Sequence, residues 1–263
     1  MVTADRIRKV EAIVIRHTDY GEADRLLVLF TREMGKVRVI AKGVRKAHSR
    51  KAGHLEPFTC SILMLAKGTS FWIVSQAETV DAFLSMRENL TKTAQTAYAL
   101  ELLERFTSDE EANLALYRLI KEILIDINQE DDPFCILQYF QFRFLELVGF
   151  RPELLHCVQC RTEIQPEDQY FSALQGGVLC PRCGEKAQHA RSVSMLTLKY
   201  MRHFQRSDSA QSKKTIIPAD QRMELERLMQ SYFAYLAERK LNAPDFLREI
   251  REPPLGNSRA IGQ

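Results

Sequence analysis

The sequence predicts an α+β fold, in which a small N-terminal β-barrel precedes an all-helical domain with an inserted four-cysteine module. Three observations predict it. Apolar residues alternate over residues 10–80, whereas from about residue 82 they recur with helical spacing. Four of the six cysteines form two Cys-x-x-Cys pairs within the helical part. With 263 residues, 45% of them hydrophobic and 27% charged, the chain can bury a sizeable core without disulfides.

The N-terminal part contains five predicted strands. They cover residues 10–16, 25–31, 37–41, 58–66 and 70–77. Glu33–Lys36 and Lys67–Thr69 read as tight turns, and the one long connection is residues 42–57. Five strands with a long excursion after the third are typical of an OB-fold β-barrel. An SH3-like barrel has the same number of strands and stays open as the alternative.

The helical part begins with a predicted helix over Leu90–Phe106. Ser108-Asp109-Glu110-Glu111 has the form of a capping box, so a second helix is expected from there to about Ile127. Asp132-Pro133 predicts the start of a third helix, which ends at Gly149. Two further helices are predicted over residues 194–206 and 218–240.

These elements divide the chain into an OB-fold domain over residues 1–80 and a helical domain over residues 81–250. The cysteine module lies at residues 154–188 of the helical domain. The tail, residues 251–263, is rich in proline, glycine and polar residues, so it is predicted to be disordered.

The cysteine pairs have the spacing C-x2-C-x19-C-x2-C and consist of Cys157, Cys160, Cys180 and Cys183. This spacing is typical of a zinc site, because two thiolates three residues apart in a tight turn can both reach one metal ion. Four thiolates complete the tetrahedral shell, so the predicted zinc is structural. A thioredoxin-type redox site would need a βαβ unit beside one pair, and none is predicted.

No catalytic motif is found in the sequence. A Walker loop, a nucleophile elbow, a His-Glu-x-x-His pair and a dinucleotide-binding glycine pattern are all missing. His54-Leu55-Glu56 matches half of the zinc-deaminase signature, but Leu179 rather than proline precedes Cys180. The remaining two cysteines, Cys60 and Cys135, lie in apolar segments and are predicted to be core residues. We therefore expect a protein that is not an enzyme.

Charge is distributed unevenly, although the net charge is only +3. Residues 1–80 carry 14 basic and 8 acidic side chains, while residues 81–156 carry 7 basic and 14 acidic ones. Residues 34–55 contain no acid and seven cations, which are Lys36, Arg38, Lys42, Arg45, Lys46, Arg50 and Lys51. A cationic loop on an OB-type barrel predicts binding to a nucleic-acid backbone, whereas a merely solvated loop is the plainer alternative.

Aromatic side chains near this segment are candidates for stacking on bases. They are Tyr20, Phe58, Phe71 and Trp72. Phe71 and Trp72 are adjacent on a predicted strand, so one is expected in the core and the other outside.

Several motifs occur in an order that resembles the bacterial RecO family of recombination mediators. The similarity extends from about residue 8 to about residue 248 and leaves the C-terminal tail outside. The motifs are Glu11–Arg16, Tyr20–Arg25, Thr31–Lys36, Ala41–Lys46, Leu55–Phe58, Leu147–Pro152, Phe171-Ser172 and Gly176–Cys180.

The resemblance implies a DNA repair protein that binds single- and double-stranded DNA and anneals complementary strands. It also implies that the protein acts with RecR, and often RecF, to load RecA onto strands coated by single-strand-binding protein, whose C-terminal tail it binds. The seven cations then become DNA contacts and the four cysteines zinc ligands. With neither a signal peptide nor a membrane span predicted, we expect the protein in the bacterial cytoplasm at the nucleoid. A nucleic-acid-modifying enzyme with a structural zinc and a scaffold that does not bind DNA are the alternatives.

Overall fold

The structure is a computed structural model that describes residues 6–237. Its N-terminal part is a closed five-stranded barrel with the strand order β1-β2-β3-β5-β4. All neighbours are antiparallel except β3 and β5, which run parallel. This arrangement confirms the predicted OB-like barrel. The strands are β1 Ile7–Tyr20, β2 Asp24–Thr31, β3 Gly35–Ala41, β4 Cys60–Lys67 and β5 Trp72–Asp81.

The barrel interior follows from alternation along each strand. On β3, Val37, Val39 and Ala41 are buried inside, while Lys36 and Arg38 point outward. Trp72 is 8% exposed and belongs to the interior, together with alternate residues of the other strands. Of the two adjacent aromatics, Trp72 is therefore the core residue and Phe71 the outer one.

A second core joins the barrel to the helices. Outward-facing residues of β1 and β2, such as Ile15 and Val28, are buried in the same cluster as the helical domain. Phe30 of β2 stacks on Tyr117 of the helical domain, with 6.3 Å between ring centroids. One outer face of the barrel is thus covered by helices and is not available to a ligand.

The helical domain confirms the predicted helices at most positions. Ser194 caps α6 as the predicted boundary requires, and Gly149 adopts a φ of 82° just after α4. The short helices α1, α5 and α7 are not among the predicted ones. The helices are α1 Leu84–Arg87, α2 Leu90–Phe106, α3 Leu114–Gln129, α4 Phe134–Leu147, α5 Pro181–Gly184, α6 Met195–Arg206, α7 Ser209–Lys213 and α8 Ala219–Leu236.

The predicted capping box at Ser108–Glu111 is wrong. Helix α3 begins at Leu114, and the side chain of Asn113 accepts the Leu116 N–H as its cap. The capping box fails because Asp109 and Glu110 are held by the barrel: Glu110 N–H donates to the Lys36 carbonyl over 2.7 Å. The contact with β3 therefore overrides the helix start that the local motif predicts.

The end of the last predicted helix and the tail at residues 251–263 lie outside the described residues. Between α4 and α6, three short strands form a sheet in the order β7-β6-β8, which carries the cysteine module. They are β6 Gln169–Ser172, β7 Gly177–Leu179 and β8 Arg191–Val193. None of the helices within residues 6–237 combines the length and the apolarity that a membrane crossing demands.

Candidate metal centre and nucleic-acid interface

Two tight turns carry the four module cysteines. In the first, Arg161 N–H donates to the Cys157 carbonyl over 2.9 Å, which closes the turn around Cys160. In the second, Cys183 N–H donates to the Cys180 carbonyl over 3.0 Å at the start of α5. The β6–β7 hairpin brings the second turn back to the first, because Gly176 adopts the left-handed φ of 68° that the hairpin needs.

The four sulfur atoms, those of Cys157, Cys160, Cys180 and Cys183, converge. All lie within 4.8 Å of one another, and the Cys160 and Cys180 Sγ atoms are 3.7 Å apart. Tetrahedral zinc with Zn–S bonds of about 2.3 Å requires sulfur–sulfur distances of about 3.8 Å. None of the cysteines is in a disulfide. The donor set therefore fits a structural zinc ion, with no open coordination position.

The electrostatics of the module favour a bound cation. The Thr162 hydroxyl and backbone N–H lower the pKa of Cys160 to about 5, which stabilises its thiolate. Burial, together with the neighbouring thiols, raises the pKa of Cys183 to about 12. The full set of four thiolates consequently needs a metal charge at its centre. The nearby Cys160 sulfur raises the pKa of Arg182, whose positive charge offsets part of the remaining negative charge.

The seven predicted DNA contacts fall into three groups. The first comprises Lys42, Lys46 and Arg50, which lie on the connection after β3. Their side chains are exposed, and within residues 6–237 they have no hydrogen bond or ion pair through the charged group. These three cations are free to meet a phosphate.

Two of the predicted contacts, Lys36 and Lys51, have ammonium groups that are hydrogen-bonded within the protein. The Lys36 side chain is 11% exposed; its Nζ donates to the backbone carbonyls of Glu104, over 2.8 Å, and Thr107. The same Nζ lies 3.3 Å from Asp109. Lys51 Nζ donates to the Val74 carbonyl over 3.0 Å. Lys36 therefore joins the barrel to α2, and both lysines already donate to backbone carbonyls.

The remaining two cations, Arg38 and Arg45, are paired but accessible. Arg38 is 55% exposed, and its Nε lies 3.6 Å from Asp109. Arg45 lies 3.2 Å from Asp19, and its backbone N–H donates to the Ala23 carbonyl over 2.9 Å. The β1–β2 turn thus holds the base of the cationic connection in place.

The usual ligand face of an OB barrel, formed by β2 and β3, is only half open. Helices cover it at Phe30 and Lys36, as described above. At the other end, Leu26, Ile40 and Ile73 lie side by side in one outward row and are partly exposed. The sequence alternation shows that these residues face outward, but only the placement of the helices shows which part of the face is open.

Of the four candidate stacking aromatics, only Trp72 is buried. Tyr20, the last residue of β1, is 47% exposed, and Phe71 is partly exposed in the β4–β5 turn. Trp72 lies in the barrel interior, and Phe58 packs against the helical core. The open end of the barrel therefore combines free cations, an apolar row and two aromatic rings.

Comparison with known proteins agrees with this architecture. The family model described as "Recombination protein O N terminal" matches residues 6–83, and "Recombination protein O C terminal" matches residues 87–245. The chain is similar to DNA repair protein RecO of Roseiflexus sp. (strain RS-1), with 34% identity over 94% of this chain and 87% of the relative.

Two further relatives carry the same name. DNA repair protein RecO of Dehalococcoides mccartyi (strain CBDB1) is 33% identical over 92% of this chain and 96% of its own length. The protein of Bacillus subtilis (strain 168) is 31% identical over 93% and 95%, respectively. With both family models matched in order and the similarity extending over nearly the whole chain, the protein belongs to the RecO family of DNA repair proteins.

Proposed function

We propose that the protein is a recombination mediator that binds single- and double-stranded DNA at the open end of its barrel and anneals complementary strands. The observation that carries this proposal is the group of exposed cations without a counter-charge, Lys42, Lys46 and Arg50, beside the open half of the β2–β3 face. Phosphates would relieve their mutual repulsion and release condensed counterions.

Base contacts in this proposal come from the rings and the apolar row. Tyr20 and Phe71 offer stacking platforms, and the partly exposed row through Ile40 offers an apolar surface for unstacked bases. Such contacts tolerate any sequence, because every base has a π-face. Binding without sequence preference is what annealing of arbitrary complementary strands requires.

We further propose a zinc ion bound by the four module cysteines with a purely structural role. The ion would crosslink the two knuckles, and the module residues would hold the β6–β7–β8 sheet between α4 and α6. Because all four ligands are thiolates, no position is left for substrate or water.

Family membership supports the remaining partners. We propose that the protein acts with RecR, and with RecF where it is used, to load RecA onto DNA coated by single-strand-binding protein, and that it binds the C-terminal tail of the coating protein. The bacterial cytoplasm, at the nucleoid, is the compartment in which these partners meet.

The decisive experiment is annealing of complementary strands that are coated with single-strand-binding protein. We expect annealing without nucleotide or divalent metal, and DNA binding that weakens steeply with salt, as phosphate contacts require. A requirement for nucleotide hydrolysis, or a change in the DNA product, would favour a nucleic-acid-modifying enzyme. Salt-independent binding, or no binding, would favour a scaffold with a solvated loop.

A further inference from the structure

An acidic segment from the helical domain lies on the edge of β3. We call residues Asp109–Glu111 the acidic strap. Strand β3 pairs with β5 only at Val39 and Ile40, so its first half has a free edge on that side. The strap occupies this edge: Asp109 forms a parallel bridge with Lys36, and Glu110 N–H donates to the Lys36 carbonyl.

The backbone is shaped for this contact. A Cβ atom at Gly35 would lie 1.9 Å from the Glu111 carbonyl oxygen, so only glycine leaves room for the strap. Glu110 has a φ of 59°, a conformation that residues other than glycine rarely adopt. The position of the strap is therefore defined by the fold rather than by a chance approach of two surface loops.

The strap brings carboxylates to the cationic side of the barrel. Asp109 lies 3.6 Å from the Arg38 guanidinium, and the Glu110 carboxylate accepts the Trp72 indole N–H over 3.4 Å. Both Arg38 and Asp109 are about half exposed, at 55% and 47%. A carboxylate of the protein itself thus already neutralises Arg38.

A recess of about 360 Å³ opens beside this pair. Arg38 and the strap form one wall, and Lys67, the following turn and Phe71 form the other. We propose that this recess takes one nucleotide of a bound single strand, and that Asp109 competes with its phosphate for Arg38. The inference rests on the proposed DNA-binding function and adds a subsite with a built-in competitor to it.

The geometry makes Asp109 a weak competitor for Arg38. The Arg38–Asp109 ion pair is half-exposed and therefore weak, so a phosphate can replace Asp109 at Arg38 while Asp109 keeps its 3.3 Å contact with Lys36. Removing the competitor should strengthen binding by about two- to fivefold, the range that such a pair spans. It should also steepen the salt dependence, because Arg38 would then neutralise a phosphate rather than its own carboxylate.

The experiment measures binding of the full chain to a labelled oligothymidylate at about 100 mM salt, where charges more than about 10 Å apart are screened. Asp109→Asn should bind two to five times more tightly than the wild type. The double variant Arg38→Ala/Asp109→Asn should bind no more tightly than Arg38→Ala. Asp131→Asn, which removes the same charge from the loop between α3 and α4, is the matched control and should bind like the wild type.

A second comparison does not depend on the folding of the Asp109 variant. Because Arg38 is already paired and Lys46 is not, Arg38→Ala should weaken wild-type binding less than Lys46→Ala does. Three results would each overturn the inference while leaving DNA binding intact. Asp109→Asn could bind with the same affinity as the wild type, or the double variant could bind more tightly than Arg38→Ala. Arg38→Ala could also weaken binding more than Lys46→Ala does. No binding by the wild type would instead remove the proposed function itself.

Discussion

The four-cysteine module and the cationic segment, residues 36–51, each contain several residues of one chemical kind. These residues come together in the module and separate in the cationic segment. In the module, all four cysteines converge on one point, with their sulfurs within 4.8 Å of one another. In the cationic segment, seven side chains of like charge separate into three groups. Lys36 and Lys51 serve the fold, Arg38 and Arg45 are paired with carboxylates, and Lys42, Lys46 and Arg50 are free.

The difference shows what kind of site a sequence can specify. A tetrahedral metal site is built from two local turns, so short spacing already places each pair of ligands. A phosphate contact needs a free charged group at the end of a long side chain. Any nearby carbonyl or carboxylate can form a hydrogen bond or ion pair with that group instead. Spacing is therefore informative for cysteines and much less so for lysines and arginines.

The largest effect is expected from breaking the metal site. Cys180→Ser should lose the bound metal and lower the thermal midpoint by about 10 °C or more, because structural zinc contributes much of the folding free energy of its module. Metal analysis and thermal unfolding measure this. Cys135→Ser is the matched control, since Cys135 lies outside the cluster and should keep the full metal content. Unchanged metal content in the Cys180→Ser protein would show that the four cysteines do not form the metal site.

The next largest effect tests the free cations. Changing Lys42, Lys46 and Arg50 together to alanine should weaken single-strand binding by about 10- to 100-fold at low salt and reduce the salt slope by about two. Filter binding across a salt series measures both. The matched control changes Lys186, Arg191 and Lys199, three exposed cations of the helical part, and should have little effect. An equal loss in both triple variants would mean that only the net charge matters.

A smaller effect separates Lys36 from the free group. Lys36→Met keeps the aliphatic stem but leaves the Glu104 and Thr107 carbonyls without their donor, so it should cost about 1–3 kcal/mol of unfolding free energy. Urea denaturation measures this. Single-strand affinity should stay within about twofold at a temperature where the variant is folded. Weaker DNA binding without a loss of stability would show that Lys36 contacts DNA.

The smallest effect concerns a second contact between the barrel and the helices, the ion pair of Glu11 with Lys121. Burial by itself would raise the pKa of Glu11, but the Lys121 ammonium, the Tyr117 hydroxyl and Arg32 lower it below its ordinary value of 4.5. A carboxyl group whose pKa is lower in the folded than in the unfolded protein stabilises the folded state above pH 4.5. That stabilisation is lost as the pH falls through the pKa of the folded state.

Glu11→Gln should therefore lower the unfolding free energy at neutral pH by less than about 1 kcal/mol, as a partly exposed ion pair implies. The difference between variant and wild type should shrink as the pH falls below 4.5. Urea denaturation at several pH values measures this. A difference that persists unchanged at low pH would show that the ion pair is not its cause.

The fold was largely predictable, because alternation in residues 10–80 and helical spacing after them are dominated by burial on one face. The barrel, α2, α4 and α6 were recognised for this reason. The capping box at Ser108–Glu111 was wrong because its acidic residues are bound by β3 instead. A motif read from four residues carries no information about a strand edge that is more than 70 positions away in the chain.

The sequence by itself determined the barrel, the helical body, the grouping of Cys157, Cys160, Cys180 and Cys183, and the RecO resemblance. Each of these depends on local period, local spacing or ordered motifs. The tertiary structure decided which cations are free, which half of the β2–β3 face is open, and that an acidic strap lies on β3. These features depend on contacts between residues far apart in the chain. Such contacts are set by the packing of the barrel on the helices, which no local pattern records.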